Sequence, residues 1–215
     1  SKNISIRKEF DLIDEIWEGR PSPPREPVFI HDVAFAGWTV AEKLERFRAE
    51  MAKKGVNYHL ICSLDDIAWL YNIRGNDVPY NPVVIAYALV SDSRAWLFID
   101  KTKVSDAIRE MLADNGVTVE DYELVYEYLA SLKDEDTILI DPDRTNSWLY
   151  DAIAKHCNKV EGSTISTPMK AVKNEIEIEN LRKTHICDGV AMVKFLYWLD
   201  NNLGKQRITE ITVSE

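Results

Sequence analysis

LDDIAWLYNIRGNDVPYNP, from Leu64 to Pro82, decides how this 215-residue chain is read. Ile67, Leu70 and Tyr71 fall at i, i+3 and i+4, so a helix there has one apolar face, whereas Arg74, Gly75, Asn76, Asp77, Tyr80 and Asn81 follow with no such period. A helix gives way to a polar loop punctuated by Pro79 and Pro82. Polar loop residues on a rigid support often carry binding, which makes Arg74, Asn76, Asp77, Tyr80 and Asn81 the candidate ligand-facing set. Two readings of the loop stand together. In one, Gly75 caps the helix, Asn76 and Asp77 make a side-chain turn, and Arg74 pairs with Asp77. In the other, these side chains contact a ligand. Asp65 and Asp66 read as the N-cap and first turn of the helix, where negative charge is favoured. Adjacent helical residues do not face each other, which argues against a catalytic carboxylate pair.

Outward from this stretch, strand-like and helical segments alternate. Thr39 and Glu42 have capping-box spacing, which starts a helix running to about Lys54 and stopped by Gly55. NYHLIC (57–62), VVIAYALV (83–90), AWLFID (95–100) and TILIDP (137–142) read as strands. Helices are expected from about Val104, near Tyr122 to Leu132, and from Ser147 to His156. SDSR (91–94) is short enough for a hairpin. The order predicts an α/β fold with a mixed five- or six-stranded sheet and helices outside. Upstream, Arg7 to Trp17 has helical spacing, and PSPPREP (21–27), with four prolines in seven residues, reads as an extended linker. Downstream, a single long helix starts at Asn174, with Ile178, Leu181, Met192, Leu196, Leu199 and Leu203 on helical spacing and Gly204 as its stop. Its other face, with Phe195, Tyr197 and Trp198, asks for a partner.

Composition narrows the function. Hydrophobic residues make up 46% of the chain, enough for a sizeable core. With 26 basic against 36 acidic residues the net charge is -10, which argues against nucleic acid or an anionic membrane as partner. Cys62, Cys157 and Cys187 are an odd set with no CxxC, which suits a reducing compartment. No apolar run approaches the ~20 residues of a membrane span, and SKNISIRKEF lacks a signal-peptide core, so the expected location is cytoplasmic. His31, His59, His156 and His185 lack metal-ligand spacing, and His156 with Cys157 are helix neighbours that diverge. Gly75 alone is no phosphate cradle.

Three segments carry a resemblance. The Leu64–Pro82 stretch followed by VVIAYALV, the segment PMKAVKNEIEIENLRKTHICDGVAMVKFLYWL from Pro168 to Leu199, and DLIDEIWEGRPSPPREPV from Asp11 to Val28 resemble the N-terminal region of the creatinase, prolidase and aminopeptidase P family, and within it the three-domain Xaa-Pro aminopeptidases. The resemblance implies the end of a preceding domain and its linker at 1–27. A creatinase N-terminal-like α/β domain then covers 28–166, and the start of a pita-bread catalytic domain covers 167–215. It implies a parent enzyme that removes the N-terminal residue from Xaa-Pro peptides with two divalent metal ions, usually manganese. Their two Asp, one His and two Glu ligands would lie beyond Glu215, so no catalytic or metal-binding residue is expected here and the fragment alone should be inactive. In the family the N-terminal domains lean over the cleft, so Arg74, Asn76, Asp77, Tyr80 and Asn81 become the expected rim, facing proline-containing peptides; a homodimer is also compatible. The alternatives are a stand-alone peptide-binding or dimerisation module and the N-domain of a creatinase-like amidinohydrolase.

Overall fold

The structure, a computed structural model, describes residues 12–214. Helix α1 (Leu12–Ile16) precedes an exposed stretch through the prolines of 21–27 that has no regular structure. Arg7 to Asp11, the first part of the helix expected there, lie outside the described residues. Strand β1 (Phe29–Ile30) and helix α2 (Val33–Ala36) lead into α3 (Val40–Lys53). Thr39 and Glu42 form the complete reciprocal capping box, and Gly55, at φ 67°, follows the helix in the left-handed region.

Next come β2 (Tyr58–Ile61), α4 (Leu64–Leu70), β3 (Ile73–Arg74), β4 (Tyr87–Ser91) and β5 (Ala95–Phe98). They are followed by α5 (Asp106–Asp114), β6 (Val117–Glu120), α6 (Val125–Ala130), β7 (Thr137–Ile140), α7 (Ser147–Ala152), β8 (Asn158–Glu161) and α8 (Ser166–Ala171). The long α9 (Glu175–Asn202) and the short α10 (Glu210–Ser214) complete the order. The main sheet has six strands in the order β6-β5-β4-β2-β7-β8, with β4 antiparallel to both neighbours and the other pairings parallel. It is therefore mixed, and β4 and β5 are joined by the expected short turn, in which Ser91 N donates to Arg94 O. A separate two-residue ribbon pairs β1 with β3.

Strand alternation sorts the core into two layers. Ala88 and Val90 of β4 join Ile61, Leu139, Leu44, Phe47, Ile67 and Leu112 on one face. Leu89 joins Leu60, Ile138, Ile140, Val125, Leu129 and Leu149 on the other. Of VVIAYALV only Tyr87 to Val90 enters the ladder; Val83, Val84 and Ala86 are buried in the loop before it. The expected helix at 122–132 begins with a 3-10 turn, Tyr122–Leu124, before α6. The helix at 147 stops at Ala152, short of His156.

Helix α9 is 28 residues, or ~42 Å, long and has no buried residue. Its first turns are fastened to the rest of the fold. Asn174 caps it in a second capping box with Glu177 and donates through Nδ2 to Ala36 O at 2.9 Å, while Asn180 Nδ2 donates to Ala34 O at 2.9 Å. Leu203 is its C-cap and Gly204, at φ 79°, follows in the left-handed conformation that the sequence anticipated. No helix among the described residues is long and apolar enough to cross a membrane.

Candidate functional site

The loop after α4 is built differently from the local reading. The helix ends at Leu70, and Asn72, at φ 51°, takes the left-handed position expected of Gly75, whose φ is not positive. Asn tolerates that conformation, and here its side chain is held as well. Asn72 Nδ2 donates to Trp38 O at 2.8 Å, and its Oδ1 accepts from Lys43 Nζ at 2.5 Å. Lys43 Nζ also donates to Trp69 O at 2.7 Å and lies 4.5 Å from the centre of the Trp69 ring. Burial pushes this ammonium down to about 8. Gly75 serves a steric need instead, since a Cβ there would stand 2.5 Å from Val84 Cγ1.

Arg74 and Asp77 do not pair. Arg74, placed by β3 opposite Phe29, turns back so that Nη1 donates to Ala68 O, in the last turn of α4, at 2.7 Å and to Ile73 O, in β3, at 2.9 Å. Asp77 points inward: its Oδ2 accepts from Ile85 N at 2.7 Å and from the buried Lys103, while its Oδ1 is buried without a hydrogen-bond partner. A non-local cation 26 residues away outcompetes the near one because it lies in the interior, where a charge pair is least screened. Between Asp77 and Val83 the chain makes a tight turn in which Val78 and Asn81 bridge and Asn81 N donates to Val78 O at 3.1 Å. Tyr80 sits at its tip with φ 63° and a fully exposed side chain. The candidate set thus divides: Asn76, Tyr80 and Asn81 are exposed, Arg74 is half-buried, and Asp77 is buried.

Ser63, and neither Asp65 nor Asp66, is the N-cap of α4, and its hydroxyl donates to Asp66 Oδ2 at 2.6 Å. Both aspartates sit in the first turn and meet Lys170 of α8, with Asp66 Oδ1 at 3.0 Å. This is a tie between helices, reinforced by Thr167 Oγ1 donating to Asp66 Oδ2 at 3.3 Å.

The remaining chemistry-bearing groups are engaged structurally or lie apart. His59 is buried, with Nδ1 2.9 Å from Leu139 O and Nε2 accepting from Ile165 N at 3.2 Å, an arrangement that requires the neutral Nδ1–H ring. Burial pushes it down to about 4. His156 meets Leu132 O through Nε2, while Cys157 Sγ donates to Asp136 O, so the neighbours serve different partners. Burial pushes the Cys62 thiol up to about 11 and raises Cys157 too; Cys187 is exposed on α9. Among the described residues no group of three or more His, Cys, Asp or Glu is placed to hold a metal ion.

The first turn of α9 also reaches this region, which local patterns did not reveal. Trp69 Nε1 donates to Glu177 Oε1 at 3.3 Å, joining the end of α4 to α9. The start of the helix at Asn174 was visible in sequence, but the contact of Glu177 depends on Trp69, 108 residues away.

A model of the creatinase/prolidase N-terminal domain matches residues 19–177. The chain belongs to that family. As a creatinase/prolidase N-terminal domain protein it is 38% identical to a probable Xaa-Pro aminopeptidase P of Botryotinia fuckeliana, over 99% of this chain and 34% of the relative. It is 35% identical to aminopeptidase P1 of Arabidopsis thaliana, over 92% of this chain and 35% of that protein. The chain therefore spans about a third of the length of these relatives. The crystal structure of an X-prolyl aminopeptidase from Caenorhabditis elegans, described as a cytosolic enzyme with a di-nuclear active site, superposes with a TM-score of 0.87 at 32% identity, over 95% of this chain and 34% of that one. The creatinase/prolidase fold, with its mixed sheet and flanking helices, agrees with the architecture read from the sequence.

Proposed function

We propose that this chain forms the non-catalytic N-terminal part of a metal-dependent aminopeptidase that removes the first residue from Xaa-Pro peptides. The observation that carries the proposal is nearly complete coverage of this chain by aminopeptidase P relatives of which it spans 34%. The nematode enzyme is described as having a di-nuclear active site, and in this reading two metal ions, manganese, belong to the remaining two thirds of such a protein. That part would supply two Asp, one His and two Glu. In the same reading residues 1–27 end a preceding domain, 28–166 form the sheet domain, and 167–215 open the catalytic one. The location is cytoplasmic, and a homodimer is compatible with it.

The role assigned to this part is to shape the cleft. Asn76, Tyr80 and Asn81 face a proline-containing peptide from the rim, and Arg74 and Asp77 hold the loop from beneath. A left-handed non-glycine residue costs ~1–3 kcal/mol, and such strain concentrates at functional sites. Tyr80 carries it while exposing its whole ring, and the buried Asp77–Lys103 pair anchors the turn that presents it. The exposed apolar side of α9, including Val193, Tyr197 and Leu196, provides the contact with the rest of the catalytic part. In the full-length protein, Tyr80→Ala should raise KM for an Xaa-Pro tripeptide about tenfold while kcat and melting temperature hold. Unchanged KM would remove Tyr80 from the rim.

A further inference from the structure

We infer that the cleft between α2 and the first turns of α9 is a carboxylate-binding site, taking a peptide chain end or an acidic side chain. The cleft is open to solvent, has a volume of about 300 Å³ and is walled by the exposed Phe35 and Leu181, with His31, Lys173, Asn180 and Thr184 supplying polar atoms. That volume lies at the small end of ligand sites of ~300–1,000 Å³, which suits one carboxylate-bearing residue and not an extended peptide.

Of the cations in and behind the cleft, Lys43, Arg74 and Lys173 make no ion pair among the described residues, whereas Lys170 does. Buried charges are normally paired, and this chain is rich in acids, with a net charge of -10. Yet among the described residues neither the buried Lys43 nor the half-buried Arg74 has a carboxylate within ion-pair distance. Lys43 is bonded to Trp69 O and Asn72 Oδ1, and Arg74 to two backbone carbonyls. Lys173, at the mouth, donates to Ala171 O at 3.2 Å. Lys170 is held by Asp65 and Asp66. Glu177, the carboxylate that lines the cleft, is the acid whose charge acts on Lys43, Arg74 and His31 together, and each of its oxygens already accepts one hydrogen bond. Oε1 accepts from Trp69 Nε1 and Oε2 from Asn174 N. Asp32 is likewise committed, accepting from Ala34 N at 2.7 Å. A carboxylate entering the cleft would meet Lys173 and the Thr184 hydroxyl, with the field of Lys43 and Arg74 behind them. Charge-assisted hydrogen bonds of this kind are the stronger ones. The apolar walls favour a carboxylate carried on a hydrocarbon stem over a bare inorganic anion.

The test uses the 215-residue chain and three small probes: N-acetyl-leucine, with a chain-end carboxylate; N-acetyl-glutamate α-amide, with a side-chain carboxylate; and neutral N-acetyl-leucine amide. Titrations followed by amide proton–nitrogen NMR should move the Lys173, Asn180 and Trp69 indole signals. At least one acid should bind about tenfold more tightly than the amide, and Lys173→Met, an exposed position, should remove most of that difference without changing the melting temperature. The tighter acid identifies the source. Equal binding of acids and amide, or acid binding indifferent to Lys173→Met, would overturn the inference.

Discussion

The Asp77 carboxylate meets the Lys103 ammonium inside the protein, with the two side chains 0% and 2% exposed. Removing one partner of such a pair leaves an uncompensated buried charge, which costs ~3–5 kcal/mol, whereas replacing both can be nearly neutral. Lys103→Met should therefore destabilise the chain by about 3–5 kcal/mol in urea unfolding, and Asp77→Leu with Lys103→Met should recover much of it. Additive losses would show that the pair does not act as a unit.

Gly37 and Asn174 define how α9 is fastened. At Gly37, φ is 72° and a Cβ would stand 2.2 Å from Asn174 Oδ1. Gly37→Ala should thus cost about 1–3 kcal/mol and expose the Trp69 indole by loosening the α9 cap, read as a red shift in fluorescence. Asn174→Ala should produce the same shift with a milder loss of ~1 kcal/mol, the usual value of a lost N-cap. A Gly37→Ala protein as stable as the parent would contradict the docking geometry.

The buried His59 makes stability depend on pH. Its folded pKa, about 4, lies below the ordinary value of 6.5, so between those values the unfolded chain binds a proton that the native chain refuses. Stability is full above pH ~6.5 and falls as pH drops toward 4, with a slope of up to about 1.4 kcal/mol per pH unit from this residue. His31, also held low, mainly by burial, acts in the same direction. Urea midpoints between pH 7 and 4.5 should fall steeply in the parent and less steeply in His59→Gln, which keeps a donor and an acceptor. Parallel curves would refute the buried neutral ring.

The three thiols should react unequally. Cys187 is exposed, whereas burial raises Cys62 and Cys157 and so suppresses their thiolates. An aromatic disulfide reagent at pH 8 should label Cys187 quickly, and Cys187→Ser should abolish the fast phase. A fast phase that survives this change would mean that a buried thiol opens to solvent.

Local patterns were enough where one segment settled its own conformation. The Thr39–Glu42 box, the α4 stripe and the β4–β5 hairpin all rest on neighbours in sequence. They failed where distant partners compete. Asn72 replaces Gly75 as the left-handed residue because Lys43 and Trp38 hold its side chain, and Asp77 turns away from Arg74 because Lys103 waits in the core. Strand β8, with the polar sequence NKVE, carries no apolar alternation because it is an edge strand supported on one side by β7. The two-residue ribbon of β1 and β3 is too short to have a period. Of the proposed rim, Asn76, Tyr80 and Asn81 were legible as exposed loop residues; the strain at Tyr80 was not, since backbone conformation there depends on the buried anchor.

The most direct test of the account is peptidase activity of the purified 215-residue chain, measured as release of the first residue from an Xaa-Pro tripeptide in the presence of manganese. No release above the protein-free control is expected, with full activity only when the rest of an aminopeptidase P-like protein is attached. Manganese-dependent release by this chain alone would contradict a non-catalytic role and place a metal site where the described residues offer none.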